Sequence, residues 1–157
     1  MTEFTVVLHI SAPAERCFDL SRSIDLHLHS MDTSKEKVIA GVTSGLISLG
    51  ETVTWRARHF GVWQNLTSKI TDFDTPHQFV DEMQKGAFKS FWHQHRFETS
   101  PEGTIMTDTI RYEVPHGAIG KLFDRWVLKS YMVRLIEQRN EVIRQVAECN
   151  QWEKYLS

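Results

Sequence analysis

Residues 90–114, SFWHQHRFETSPEGTIMTDTIRYEV, carry the pattern that decides our interpretation of the fold. Aromatic, imidazole or aliphatic side chains alternate with polar ones on both sides of residues 100–103, a Ser-Pro-Glu-Gly sequence typical of a turn. Successive side chains of a β-strand point to opposite faces of the sheet, so this alternation predicts strands. The stretch therefore predicts two antiparallel strands, 90–99 and 104–114, joined as a hairpin.

The same pattern extends towards the N-terminus. Residues 51–60, 62–73 and 77–84 predict three further strands, each bounded by residues typical of turns. The β-branched and apolar residues of 4–10 and of 35–40 predict two more. The whole chain is therefore expected to form about seven strands.

Helical patterns occupy much of the remaining length. Residues 13–20 and 23–31 predict two short helices after the first strand, and residues 119–148 predict one long amphipathic helix. The predicted fold class is α+β, with a curved antiparallel sheet wrapped on the long C-terminal helix. We expect a single domain over residues 1–157, of which 149–157 form a loosely held tail.

Composition argues against several classes of protein. A formal net charge of −2 argues against a broad electrostatic grip on nucleic acid. No run of 18 apolar residues is present, so we expect no integral membrane association. Cys17 and Cys149 belong to no metal-binding or redox motif, which favours a reducing, cytoplasmic location.

The two faces of the predicted sheet differ in character. One face carries long charged side chains that are typical of a solvated outer surface: Arg56, Arg58, Lys69, Glu82, Arg96, Glu98 and Arg111. Trp63 and Trp92 lie on the same face and could form the contact of a homodimer, or could be tolerated surface aromatics.

The opposite face mixes apolar residues with His, Asp, Tyr and Gln. Such a mixture is unusual for a dry core, because each buried polar group needs a hydrogen-bond partner. Two explanations stay open: the face lines a solvated cavity, or its polar groups satisfy one another in a buried network. The candidate ligand-binding residues comprise Trp126 of the long helix and eleven residues of this face. The eleven are Trp55, His59, Gln64, Asp81, Met83, His93, His95, Phe97, Met106, Asp108 and Tyr112.

Several short stretches carry a resemblance to a known family. They are HLHS at 27–30, GETVTWRARHFG at 50–61, FVDEM at 79–83, HQHRF at 93–97 and YEVP at 112–115. Over about residues 1–148 the chain resembles the helix-grip fold of the SRPBCC superfamily. This superfamily includes START-like lipid carriers, pollen-allergen-like proteins and polyketide cyclase/dehydrase proteins. More narrowly, the chain resembles a bacterial stand-alone ligand-binding branch. The resemblance implies a deep cavity between the sheet and the long helix, which binds an apolar or amphipathic small molecule.

The neighbouring His and Asp residues allow two further kinds of site. His93 and His95, with His59 and Asp81 nearby, could bind zinc, but structural zinc sites usually use tighter, Cys-containing spacings. We therefore favour a hydrogen-bonded network and predict no metal and no cofactor. A His93 or His95 imidazole paired with Asp81 could also act as an acid–base pair, so these three residues are the candidate catalytic residues.

The leading functional hypothesis is the binding of a hydrophobic or amphipathic small molecule in this cavity. The loop from Gly41 to Gly50 would gate the entrance, because flexible loops commonly admit ligands to closed pockets. One alternative is a cyclase- or hydrolase-like enzyme that uses the His–Asp pair. The other is a dimerising interaction module.

Overall fold

Seven antiparallel strands form one sheet in the order β1-β7-β6-β5-β4-β3-β2. The computed structural model describes residues 1–156, with the exception of the Thr33 side chain. The strands are β1 (Thr2–Ile10), β2 (Lys37–Gly41), β3 (Thr52–His59), β4 (Val62–Asp74), β5 (Gln78–Lys85), β6 (Ser90–Ser100) and β7 (Gly103–Glu113). This architecture confirms the predicted strands and their antiparallel arrangement.

The hairpin formed by β6 and β7 lies between β1 and β5 in the sheet. Its turn contains Gly103 at a φ of +144°, and a Cβ atom there would lie 2.2 Å from the Ile10 carbonyl oxygen. Only glycine fits this backbone and this close approach. The turn thereby joins the hairpin to the end of β1, which pairs with β7 along its whole length.

The helices pack on the inner face of the sheet. They are α1 (Ala14–Ser21), α2 (Ile24–Ser30), α3 (Gly117–Phe123), α4 (Lys129–Ala147) and α5 (Glu153–Leu156), with 3₁₀ turns at Asp32–Ser34 and Asn150–Trp152. None of the described helices is long and apolar enough to cross a membrane. The α+β helix-grip architecture predicted from the sequence is therefore confirmed.

The long C-terminal helix is not continuous in its geometry. A π-helical turn, Asp124–Leu128, separates α3 from α4. A π turn contains one residue more than an α turn, so it rotates the preceding side chains by about 100° relative to α4. Asp124 becomes buried, whereas Leu122 and Trp126 are 60% and 71% exposed. The inward position predicted for Trp126 is therefore wrong.

The C-terminal tail is packed rather than loosely held over its described part. The Arg16 guanidinium lies over the Trp152 ring, 4.2 Å from the centroid of that ring. The Tyr155 hydroxyl lies 3.1 Å from His29 Nδ1. Both aromatic side chains also contact the main apolar core. Ser157, the last residue of the predicted tail, lies outside the described residues.

Among the described residues, the core consists of two apolar clusters. One surrounds Phe18 of α1, whose ring meets those of three other phenylalanines edge-on, and the other contains Phe91 and Tyr112. The inward residues of β6 are, in order, Phe91, His93, His95 and Phe97. Its two histidines therefore lie between the clusters, where polar side chains are enclosed by apolar packing.

Candidate ligand-binding cavity

A cavity of about 460 Å³ lies between the inner face of the sheet, the start of α2 and the helix α4. This volume is within the range of small-molecule sites. Most of its wall is apolar, with aromatic, aliphatic and Met side chains from both layers. Six of the predicted ligand-binding residues line it: Trp55, His59, Gln64, Asp81, His93 and His95.

Five other predicted residues lie outside the described lining. Phe97 and Met106 are buried in the core cluster around α1, and Met83 packs against the second cluster. Asp108 lies beneath the lining with no exposed surface, and Tyr112 is fully buried with its hydroxyl bonded to Asp124. These side chains support the cavity wall rather than form its surface.

A buried polar network forms one end of the cavity. We call it the polar floor, and it consists of Asp81, His93, His95, Asp108, Arg139 and Asn140. The Asp108 carboxylate accepts hydrogen bonds from His93 Nε2 and Asn140 Nδ2, both at 2.7 Å. It also lies 3.0 Å from His95 Nδ1 and 3.4 Å from Arg139 Nη1. Asp108 is therefore the centre of the network.

Asp81 is the more accessible carboxylate of the polar floor. His95 Nε2 donates to Asp81 Oδ2 at 2.7 Å, and His93 Nδ1 lies 3.8 Å from the same oxygen. The Asp81 side chain keeps 21% exposure, whereas that of Asp108 has none. Phe79 stacks on His95 at 4.2 Å, and His95 stacks on His93 at 3.7 Å between ring centroids. The two imidazoles are thus held in place by both stacking and hydrogen bonds.

Arg139 and Asn140 are the site residues that sequence reasoning missed. Both are buried on α4, at 4% and 1% exposure. Arg139 donates to Asn140 Oδ1 at 3.0 Å and to the Ser21 carbonyl oxygen at 3.2 Å. A helical period of 3.6 places Arg139 on the same apolar stripe as Ile136 and Ile143. A cation inside an apolar stripe is the sequence signal that could have indicated a buried, paired Arg139.

The electrostatics of the polar floor follow from burial and from its close contacts. Burial alone raises the pKa of Asp108, but hydrogen bonds from His93 and His95 hold that pKa well below its ordinary value. Burial also favours the protonated form of Asp81, but the hydrogen bond from His95 and the nearby charges of His93, His95 and Arg139 together outweigh burial, so the pKa of Asp81 is lowered. Burial and the adjacent His95 lower the pKa of His93. Both carboxylates are therefore ionised at neutral pH, and His93 is neutral.

Two further hydrogen-bonded pairs lie along the cavity wall. His27 Nε2 is 3.0 Å from Glu36 Oε1, and the His27 ring lies 4.2 Å from the Trp55 ring, between centroids, at a tilt of 33°. His59 Nδ1 is 2.6 Å from the Tyr131 hydroxyl, and burial lowers the pKa of His59. The His27–Trp55 and His59–Tyr131 contacts connect the sheet to the helical layer, and much of the remaining wall is apolar.

Exposed lining residues mark where the cavity reaches the surface. Phe60, in the turn after β3, is 49% exposed, and Phe123, at the end of α3, is 44% exposed. Their rings meet edge-on at 5.5 Å, and both line the cavity. Ala87 and His116 are also exposed lining residues. The opening thus lies between the β3–β4 turn, the β5–β6 turn and α3.

The loop of residues 41–50 is anchored to the helical layer. Ile47 is 4% exposed and lines the cavity, and its backbone amide donates to the Arg22 carbonyl oxygen at 3.1 Å. An isolated β-bridge joins Ser23 to Leu46. The loop therefore forms part of the cavity wall, while its role as a gate stays a prediction.

Three residues of the polar floor could hold a metal ion. Ligand atoms of Asp81, His93 and His95 all lie within 4.8 Å of one another. However, the planes of the two stacked imidazoles make an angle of only 29°. Imidazole lone pairs lie in the ring planes, so nearly parallel rings must turn before both nitrogens can point at one tetrahedral ion. The arrangement fits a hydrogen-bonded network better, and the absence of a metal stays a prediction.

The two tryptophans of the outer face are covered in part by arginines. The Arg56 guanidinium lies 5.4 Å from the Trp63 ring, and that of Arg111 lies 4.7 Å from the Trp92 ring. Such cation–π contacts also form at solvent-exposed sites, where they are worth about 0.5–1 kcal/mol. Neither contact indicates a partner, so the homodimer stays a prediction.

Comparison with known proteins identifies the family of the chain and agrees with its fold. The family model for polyketide cyclase/dehydrase and lipid transport matches residues 1–148. Protein TTHA0849 of Thermus thermophilus is similar in structure, with a TM-score of 0.75, 18% identity, and coverage of 92% of this chain and 95% of that one. Major latex-like protein 151 of Panax ginseng has a TM-score of 0.67 and 15% identity, with coverage of 93% and 97%. No curated protein sequence matches significantly.

At identities of 18% and 15%, the likeness to these two structures concerns the fold alone, whereas the family match spans most of the sequence. The chain therefore belongs to the polyketide cyclase/dehydrase and lipid transport family of the SRPBCC superfamily.

Proposed function

We propose that this protein binds a hydrophobic or amphipathic small molecule in the cavity between the sheet and α4. The observation that carries this proposal is a cavity of about 460 Å³ with a largely apolar wall and the polar floor at its inner end. Such a combination of apolar walls with a few placed polar groups is typical of sites that bind and orient small ligands.

The polar floor favours a particular kind of ligand head group. The Arg139 guanidinium and the Asp108 carboxylate are already engaged with each other and with neighbouring groups. Asp81 lines the cavity, as Arg139 does, and accepts a hydrogen bond from His95 through Oδ2. A hydroxyl or amine could donate to Asp81, whereas a carboxylate would be repelled by it. The ligand is therefore expected to carry a hydroxyl or amine head on an apolar body.

The test is a set of ligands that differ only in the head group. Displacement of a fluorescent apolar probe by dodecanol, dodecylamine and dodecanoate would rank the three heads. We expect the alcohol or the amine to bind more tightly than the carboxylate. Preference for the carboxylate would contradict the assignment of the head group, and no binding of any of them would count against an alkyl ligand.

A cavity-filling substitution tests the binding site itself. Ala57 is 5% exposed and lines the cavity from β3, so Ala57→Leu would occupy ligand space. We expect probe binding to be lost while the melting temperature is retained. Ala40→Leu, the same enlargement on an exposed residue of edge strand β2, is the control. Unchanged probe binding by Ala57→Leu would refute this location of the site.

We propose acid–base catalysis in the same cavity as the second candidate function. The observation that favours it is the 2.7 Å contact between His95 Nε2 and Asp81, because a carboxylate that orients an imidazole produces an effective base. Turnover of small esters that is lost in both His95→Gln and Asp81→Asn, with probe binding retained, would support catalysis. Turnover that is unaffected by both substitutions would exclude this pair as the catalyst.

A further inference from the structure

The opening of the cavity is surrounded by exposed apolar side chains. We call this group the entrance patch, and it consists of Phe60, Ile119, Leu122, Phe123, Trp126 and Val127, which are between 41% and 80% exposed. The π turn, Asp124–Leu128, helps to place them there, because it turns Leu122 and Trp126 away from the stripe that α4 buries. Contiguous apolar surface of this kind marks an interaction site rather than ordinary surface.

Basic side chains accompany the entrance patch. Lys121, Arg125 and Lys129 are exposed on the same helical segment, and the Arg125 guanidinium lies 6.0 Å from the Trp126 ring. The acidic residue of this segment, Asp124, is buried and accepts hydrogen bonds from Thr2 and Tyr112. Its charge is thus held away from the surface.

The local charge opposes that of the whole molecule. Residues 116–134 contain four Lys or Arg and one Asp, a formal net charge of +3, whereas the full chain has −2. Arg58 and Arg134 also line a depression beside Tyr131, and Tyr131 contacts Phe60 at 4.5 Å. A local basic surface therefore surrounds the apolar side chains on a molecule that is otherwise acidic.

We propose that the entrance patch docks this protein on an anionic lipid surface. A helical segment with exposed Trp, Phe and Leu side chains and accompanying cations has the character of interfacial helices. The apolar side chains enter the boundary between head groups and acyl chains, and the cations meet the anionic head groups. This mode of binding is peripheral.

A second copy of the chain is a poorer occupant of the patch. A two-fold dimer brings the same surface of both copies together, so each cluster of cations would face the other. Juxtaposed like charges oppose association, whereas an anionic bilayer complements them. The charge of the patch therefore favours lipid.

Docking in this orientation would place the cavity opening against the bilayer. Phe60 and Phe123 belong both to the entrance patch and to the cavity lining. An apolar molecule could then pass between the membrane and the cavity without crossing water, where its transfer is unfavourable. The lipid surface is thus proposed as the place where the cavity is loaded or emptied.

Flotation of the full chain with vesicles tests the proposal. We expect binding to phosphatidylcholine vesicles that contain about one third phosphatidylglycerol, and little binding to phosphatidylcholine alone. Binding should be weakened by about 1 M NaCl, where the Debye length is about 3 Å. The double variant Lys121→Gln/Arg125→Gln should bind about twenty- to thirtyfold more weakly, at about fivefold per basic residue.

A matched pair of leucines isolates the apolar contribution. Leu122 and Leu49 are 60% and 58% exposed. Leu49 precedes β3, whereas Phe60 of the entrance patch follows β3, so Leu49 and Phe60 lie near opposite ends of this strand. We expect Leu122→Ser to weaken vesicle binding about five- to tenfold, and Leu49→Ser to leave it unchanged. Near-ultraviolet circular dichroism and the melting temperature of both variants verify that each is folded.

Three results would overturn the proposal. The first is failure of the wild-type chain to bind anionic vesicles at low salt. The second is an equal loss of binding by the Leu122 and Leu49 variants. The third is a wild-type dimer that Leu122→Ser converts to a monomer, because the patch would then be covered by a second copy.

Discussion

Replacement of Asp108 by Asn tests the central role of this residue in the polar floor. Asp108 has no exposed surface, and its carboxylate accepts hydrogen bonds from His93, Asn140 and Arg139. An amide of the same shape has one acceptor oxygen, and its NH₂ group would face donors. Asp108→Asn would therefore leave the Arg139 cation buried without its carboxylate partner.

The expected loss is large for a single substitution. Removing one member of a buried ion pair costs about 3–5 kcal/mol, because the remaining charge stays uncompensated. At about 2–4 °C per kcal/mol for a chain of this size, the melting temperature should fall by about 6–20 °C. The replacement of a carboxylate by an amide in an exposed ion pair is the control for this loss of stability. Glu3 pairs with Arg111 while both side chains are about half exposed, so Glu3→Gln should cost less than about 1 kcal/mol.

Thermal unfolding monitored by near-ultraviolet circular dichroism is the appropriate assay. The double variant Asp108→Asn/Arg139→Met removes both charges, so its loss should be smaller than the sum of the two single losses. A loss for Asp108→Asn no larger than that for Glu3→Gln would refute the reasoning. Strictly additive losses would show that the two residues do not depend on each other.

Three further predictions concern the same structure. The pKa of His93 is lowered in the folded protein, so protonation favours unfolding and stability should fall as the pH drops below about 6.5. The pKa of Asp108 is also lowered, so its ionised form stabilises the folded protein, and this contribution should be lost progressively as the pH drops below about 3.8. Urea midpoints between pH 7 and 5 should decrease less steeply in His93→Gln, and equal slopes would contradict this. Gly120→Ala would place a Cβ atom 1.9 Å from the Pro115 carbonyl oxygen, so it should lower the melting temperature, whereas an unchanged value would show that α3 can shift. Elemental analysis of purified protein should show no stoichiometric transition metal. A metal that is stoichiometric in the wild type and absent from His95→Gln would overturn the assignment of a metal-free network.

Much of the sheet could be predicted because alternation along a strand is a local property. The inward residues of β6 were assigned to one face from their spacing alone, and the structure places all four on that face. The pairing of strands adds what spacing cannot supply. Asp81 lies opposite His93, and His95 opposite Asp108, yet the shortest hydrogen bonds join the diagonal neighbours. Side-chain partners therefore depended on register and on rotamers.

The helical layer was predicted less completely. The position of Arg139 in the polar floor could not be predicted, because its partner Asp108 is 31 positions earlier in the chain. Trp126 was assigned to the cavity because a period of 3.6 was continued through residues 124–128. The π turn breaks that period, and no residue pattern in the sequence marked it.

The sequence by itself determined the fold class, the succession of strands and helices, and the presence of polar residues on an otherwise apolar inner face. These features follow from periodicity and turn chemistry, which act over a few residues. Only the tertiary structure decided that Asp108 is the centre of the polar floor, that Arg139 completes it and that Trp126 lies outside. Those outcomes depend on contacts between distant segments and on one π turn, where a shift of a single residue changes which side chains are buried.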